Sequence, residues 1–283
     1  MKPVRFTEPM RPTPLGAGFF SRGGLLLGAM SFLAVFCAWL VAGTAGVFVA
    51  IGIVCATLVF GQRLSPGAIM RLHRAAPLPA WRLPSVHAGL ATLARRAGLG
   101  RAPEIYRLRR DDIAAFTVGN GDRSAIAISD GALRHLPPRE LGAVLAHEVA
   151  HVAAGDTAWM TLADVIARTT TSISLVGILS GLILALISGE TAIPLWAVML
   201  LALAPMATGL LMSAFSRERE FAADLAAARL TRDPAGLAAA LARIEAATHG
   251  AWHIFLRSRV APSMLRSHPA TRDRIHRLLQ LTA

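Results

Sequence analysis

Two long stretches of this chain carry almost no charge, and that feature restricts its fold more than any other. Residues 23–60 contain no Asp, Glu, Lys or Arg, and residues 172–213 contain only Glu190. A continuous helix through the first stretch would be a rod of about 57 Å, against about 30 Å for the hydrocarbon core of a bilayer. Each stretch must therefore fold back on itself. Gly43-Thr44-Ala45-Gly46 is the natural turn of the first, giving spans near 24–42 and 46–61. The second divides around Gly189-Glu190-Thr191, with Pro194 in the first turn of the last span, giving spans near 172–188 and 193–213. The expectation is four transmembrane helices in two hairpins.

Composition agrees. The chain is 54% hydrophobic and only 16% charged, which excludes an ordinary soluble domain. Its net charge of +12 comes from Arg residues and the single Lys2. They are spread along the polar segments with no aromatic interleaving, so anionic lipid headgroups, not nucleic acid, are the expected counterpart. Lys2, Arg5, Arg11 and Arg22 precede the first hairpin, Arg63, Arg71, Arg74 and Arg82 follow it, and Arg168, Arg217 and Arg219 flank the second. Neither hairpin tip is positive, so both termini and the polar segments are expected in the cytoplasm. The N-terminal apolar run, followed at once by another, reads as an uncleaved anchor. Cys37 and Cys55 both fall inside it, which suggests neither a disulfide framework nor a cysteine metal site.

The implied organisation is a tail at 1–22, a hairpin at 23–61, the first half of a polar domain at 62–171, a hairpin at 172–213 and a second half at 214–283. Residues 83–97 have a helical pattern ended by Gly98, and 104–108 read as a strand. Strands at 113–118 and 124–129 flank Gly119-Asn120-Gly121, a hairpin-turn signal. A helix starts at Pro137-Pro138 and stops at Gly155, and 214–230, 234–248 and 267–281 read as three more.

The chemistry sits in His147-Glu148-Val149-Ala150-His151. Two His four residues apart on a helix project from one face a turn apart and can share a metal ion. Glu148 lies about 100° further round, where it can take a proton from a metal-held water. A hydrolytic zinc site needs a third protein ligand and an open position. Glu220 is the best candidate, because the hairpin at 172–213 returns the chain to the side it left. Asp224, one turn on, could hydrogen-bond a ligand His. The alternative is that Arg217 and Arg219 anchor this helix at the headgroups, with Glu218, Glu220 and Asp224 pairing only with neighbours. His249 and His253 are also four apart, but Gly250 interrupts them and no carboxylate accompanies them, so no second metal site is expected.

The pattern resembles the HtpX-type membrane proteases, which are related to the prenyl-protein CAAX proteases. The matching residues are Pro103-Glu104-Ile105-Tyr106, then Ala115-Phe116 with Gly119, Leu145-Ala146 before the HEVAH segment, Asp156, Ser216-Arg217 with Glu220-Phe221-Ala222-Ala223-Asp224, and Ser267-His268-Pro269 with Arg274 and Ile275. The resemblance implies one zinc ion per chain held by His147, His151 and Glu220, with Glu148 as general base and His268 and Arg274 near the site. It further implies a quality-control role on misfolded proteins of the inner (plasma) membrane. The family often has Asn before the Ala-Phe pair, where this chain has Ala114.

The fold expected is thus a mainly α membrane protein whose cytoplasmic peptidase domain is zincin-like α+β with a small sheet. The expected reaction is peptide-bond hydrolysis, with His268 or Arg274 stabilising the oxyanion. An unfolded or membrane-protein substrate would lie extended along Ala114, Ala115, Phe116 and Thr117. Two alternatives stay open: a prenyl-protein protease, and a catalytically silent membrane sensor or scaffold. The oligomeric state is open too.

Overall fold

The computed structural model describes residues 22–61, 65–189, 194–249 and 271–282. In chain order the elements are α1 (Arg22–Gly61), α2 (Pro66–Leu72), β1 (Ala75–Pro77), α3 (Pro84–Arg96), β2 (Glu104–Leu108), β3 (Ala115–Asn120), β4 (Arg123–Ser129), α4 (Asp130–His135), α5 (Pro138–Ala154), α6 (Asp156–Ser188), α7 (Leu195–Thr231), α8 (Pro234–His249) and α9 (Thr271–Leu279). The described residues within Leu64–Ala158 and Arg219–Ala283 form one compact unit, and those within Leu15–Arg63 and Trp159–Glu218 form another.

In the apolar unit α1 is not a single rod. Ala42 (φ −141°, ψ 22°) and Gly43 (φ 59°, ψ −145°) leave helical geometry. A Cβ on Gly46 would fall 2.2 Å from the Ala38 carbonyl oxygen. In a straight helix residues eight apart are separated by about 12 Å, so the helix is sharply kinked here, within the expected turn, and only glycine fits at 46. Cys37, Leu201 and Ala204 are buried together with Leu33, Leu40, Val41, Ile173 and Ile178. Outward-facing apolar residues are left bare, with Phe48 74% and Ile187 79% exposed. Such a surface suits a lipid environment and not water. Three described helices, Arg22–Thr57, Asp156–Ser188 and Leu195–Thr231, are long and apolar enough to cross a membrane. The last two outrun the expected spans, since no Gly or Pro in 156–171 or 213–231 stops them.

The other unit is built on a mixed sheet of order β1-β2-β4-β3. β2 and β4 are parallel, and the other pairs are antiparallel. Alternation assigns the two faces. Ile105, Ile126 and Ile128 pack into the main core with α3, α5, α8 and the end of α7, while Tyr106, Phe116, Val118, Ala125 and Ala127 pack against Met70 of α2. The helix at 84–96 and the strand at 104–108 form as expected, but the β3–β4 turn does not. Asn120 pairs with Arg123, so Gly121-Asp122 makes the turn, and Gly119 stays in the strand at φ 83°. Three turn-prone residues in a row do not say which two will turn. At the other end, Ser129 N–H donates to the Ala114 carbonyl at 2.9 Å. Helices α2 and α4 and strand β1 were not expected, being too short to show a period.

Candidate metal and peptidase site

Helix α5 carries the HEVAH segment on its last turns. Pro138 at its start has no N–H to leave unmatched. At its end Gly155 adopts the left-handed conformation (φ 68°) and its N–H caps the His151 and Val152 carbonyls. The chain turns sharply there, and Asp156, first residue of α6, comes back against the ring it has just passed. Its Oδ2 lies 2.7 Å from His151 Nδ1.

Helix α7 supplies the opposite wall. Asp224 Oδ1 lies 3.0 Å from His147 Nδ1. With a carboxylate on the Nδ1 of each ring, both Nε2 atoms turn inward, 3.1 Å apart. Glu220 approaches the same point, with oxygens 3.5 Å from His147 Nε2 and 3.7 Å from His151 Nε2. One ligand atom from each of His147, His151 and Glu220 lies within 4.8 Å of the others. Zinc with N and O ligands at about 2.1 Å in a tetrahedron would hold those ligands about 3.4 Å apart. The three side chains therefore fit zinc in kind and in spacing.

Charge supports the same fit. Glu148, Glu220, Asp224 and Asp156 are all buried here. Two guanidinium groups face them. Arg274 of α9, itself buried, is bidentate on Asp224 (2.7 and 2.6 Å) and sends Nη1 to Glu220 at 2.9 Å. Arg219 pairs with Asp156. With His147 neutral, as a metal ligand must be, four carboxylates against two guanidinium groups leave a formal excess of two negative charges, which a divalent cation would balance. Burial pulls the His147 imidazole down, but hydrogen bonds to Asp224 and Glu220 outweigh it, so its pKa is pushed up to about 10.

Glu148 points toward β3. The Thr117 hydroxyl donates to its Oε2 at 2.6 Å, and both residues are buried. Of the other strand residues expected to meet substrate, Phe116 faces the opposite side of the sheet, edge-on to His73. Ala114 pairs with Ser129. His268 lies outside the described residues. Arg274, expected near an oxyanion, spends its donors on the two carboxylates of α7. Sequence reasoning missed the work of Arg219, which looked like a headgroup anchor. It also used Asp156 only as a landmark, although the Gly before it signalled the sharp turn.

A helix bearing His147, Glu148 and His151 beside an edge strand, closed by a carboxylate from a second helix, defines a metallopeptidase by class. Comparison with known proteins makes this specific. The profile of Peptidase family M48 matches residues 80–282, and the chain belongs to that family. It is similar to the Protease HtpX homolog of Persephonella marina, 30% identical over 91% of this chain and 95% of that protein. The Protease HtpX homolog of Acaryochloris marina is 33% identical over 90% and 92%. Among solved structures, S. mikatae Ste24p aligns with 93% of this chain at a TM-score of 0.47 and 22% identity, and the chain spans 64% of its length.

Proposed function

We propose that the chain is a membrane-anchored zinc endopeptidase that hydrolyses peptide bonds in unfolded or misfolded membrane proteins. The observation that carries this reading is the convergence of His147, His151 and Glu220 beside Glu148. When bound there, zinc would supply Lewis acidity, making a water more acidic and the scissile carbonyl more electrophilic. Glu148 takes a proton from the attacking water as the new C–O bond forms, then delivers it to the amine nitrogen as the C–N bond breaks. Asp224 and Asp156 hold the two rings in the tautomer that presents Nε2. Arg274 fixes Glu220 and Asp224 against each other, which supports a positioning role for it.

The substrate lies extended on the outer side of β3. Because Ala114 faces Ser129 in a hydrogen-bonded pair, alternation directs the backbone N–H and C=O of Ala115 and Thr117 away from β4. These groups can pair with any peptide backbone, consistent with weak sequence preference. The kink within α1 at Ala42–Gly43 supports two spans there and four in all. The Arg-rich flanks support an inner-membrane protein with both termini and the peptidase unit in the cytoplasm.

The test is Glu148→Gln in the full chain, purified in detergent. It should retain about one zinc per chain while cleavage of casein falls by three orders of magnitude or so. A Glu148→Gln chain as active as its parent would overturn the reading, as would a parent that ignores a zinc chelator.

A further inference from the structure

The Thr117 hydroxyl has one proton, and it is given to Glu148 Oε2 at 2.6 Å. The contact is made in the interior, where Thr117 is 4% and Glu148 8% exposed. It is therefore shielded from competing water, and a hydrogen bond to a charged group is stronger there than at a surface. It also commits one of the two carboxylate oxygens, leaving Oε1 for the proton of the attacking water. Thr117 is β-branched and stiff about χ1, so its hydroxyl is fixed by the strand that bears it. That strand is the sheet edge, and the register directs Thr117's own N–H and C=O outward. The same residue thus touches the base with its side chain and the free edge with its main chain.

We infer that Thr117 is a positioning residue for the general base, aiming the Glu148 carboxylate from the strand on which substrate is aligned. This rests on the peptidase reading above and goes beyond it. Thr117 does not bind substrate through its side chain. Its hydroxyl sets the direction of Glu148, and its backbone ties that direction to the peptide being cleaved.

Thr117→Val exchanges the hydroxyl for a methyl group of the same shape, and Thr117→Ser keeps the hydroxyl. Both are measured in the full chain in detergent with a fluorogenic unfolded polypeptide, beside zinc content per chain. An aim lost by a fraction of an ångström costs about tenfold to a hundredfold in turnover. Thr117→Val should therefore lose at least tenfold in kcat with KM and zinc unchanged, and Thr117→Ser should stay within about threefold of the parent. Thr117→Ala, the second variant without a hydroxyl, should behave like Val. A kcat unchanged in Val and Ala would overturn the inference, as would a loss that Ser does not relieve or an effect confined to KM. Glu148→Gln run alongside separates the two levels. If it cleaves like the parent, the peptidase reading fails, whereas a fully active Thr117→Val beside a dead Glu148→Gln removes only Thr117's role.

Discussion

Carboxylates and guanidinium groups gather at both ends of α5 and are used differently. At its start Arg139 is bidentate on Asp233 (2.6 and 2.7 Å) and Glu140 receives Arg243 (2.7 and 3.0 Å). Each charge there has one opposite partner, and although Glu140 is itself buried, the Arg side chains that meet Asp233 and Glu140 are 64% and 48% exposed. At its end the carboxylates outnumber the guanidinium groups and nearly everything is buried. Charge balance at a wet surface ties elements together, whereas a buried imbalance marks a place built for something the chain does not itself provide.

The comparison breaks most easily at the C-terminal end. The largest expected effect is that of Glu148→Gln on turnover, with zinc kept, read by cleavage assay and metal analysis together. Next, Glu220→Gln should lower zinc to well under one per chain, because the fourth carboxylate and third ligand go together; full occupancy would show that two His suffice. Arg274→Gln follows. It strands Asp224 and Glu220 in the core and should destabilise the zinc-free chain by about 3–5 kcal/mol, visible as a lower melting temperature that added zinc partly restores. If zinc restores nothing, the excess charge is not what the metal answers.

At the other end the effects should be small. Asp233→Asn should lose roughly a tenth as much stability as Arg274→Gln, because solvent screens the pair. Its sign with pH is fixed. The Arg139 hydrogen bond holds the Asp233 carboxyl below its ordinary range, so the contribution is fully present above the unfolded value of about 3.9. It is lost as pH falls through the folded value. Denaturation of the parent and of Asp233→Asn should therefore differ at neutral pH and converge in acid.

How much of this could be read beforehand depends on distance along the chain. His147, Glu148 and His151 were legible because a helix places neighbours four apart on one face, and Gly155 because a helix stop has its own residue preference. The break in α1 at Ala42–Gly43 was legible from the length of the apolar run and from its glycines. Glu220 and Asp224 needed an argument about which side the chain returns to. The Thr117 contact with Glu148 spans 31 residues between a strand and a helix, and no local pattern records which strand face will meet which helix turn. Arg219 failed for another reason: an Arg at the end of an apolar run has an obvious use at headgroups, which hid its partner Asp156. Where the β3–β4 turn would fall was likewise undecidable, since Gly119 can adopt strand or turn geometry equally well.

The left-handed Gly155 acts as a ruler. It lets Asp156 meet the ring of His151 only if five positions separate them, since one residue more or fewer would swing the carboxylate about 100° away. Any side chain with a Cβ at 155 would strain that turn. The diagnostic string in this chain is therefore longer than HExxH: it extends through a glycine to an aspartate on the fifth position after the second histidine. A search of genomes with the longer string should reject the chance matches that the five-letter motif admits.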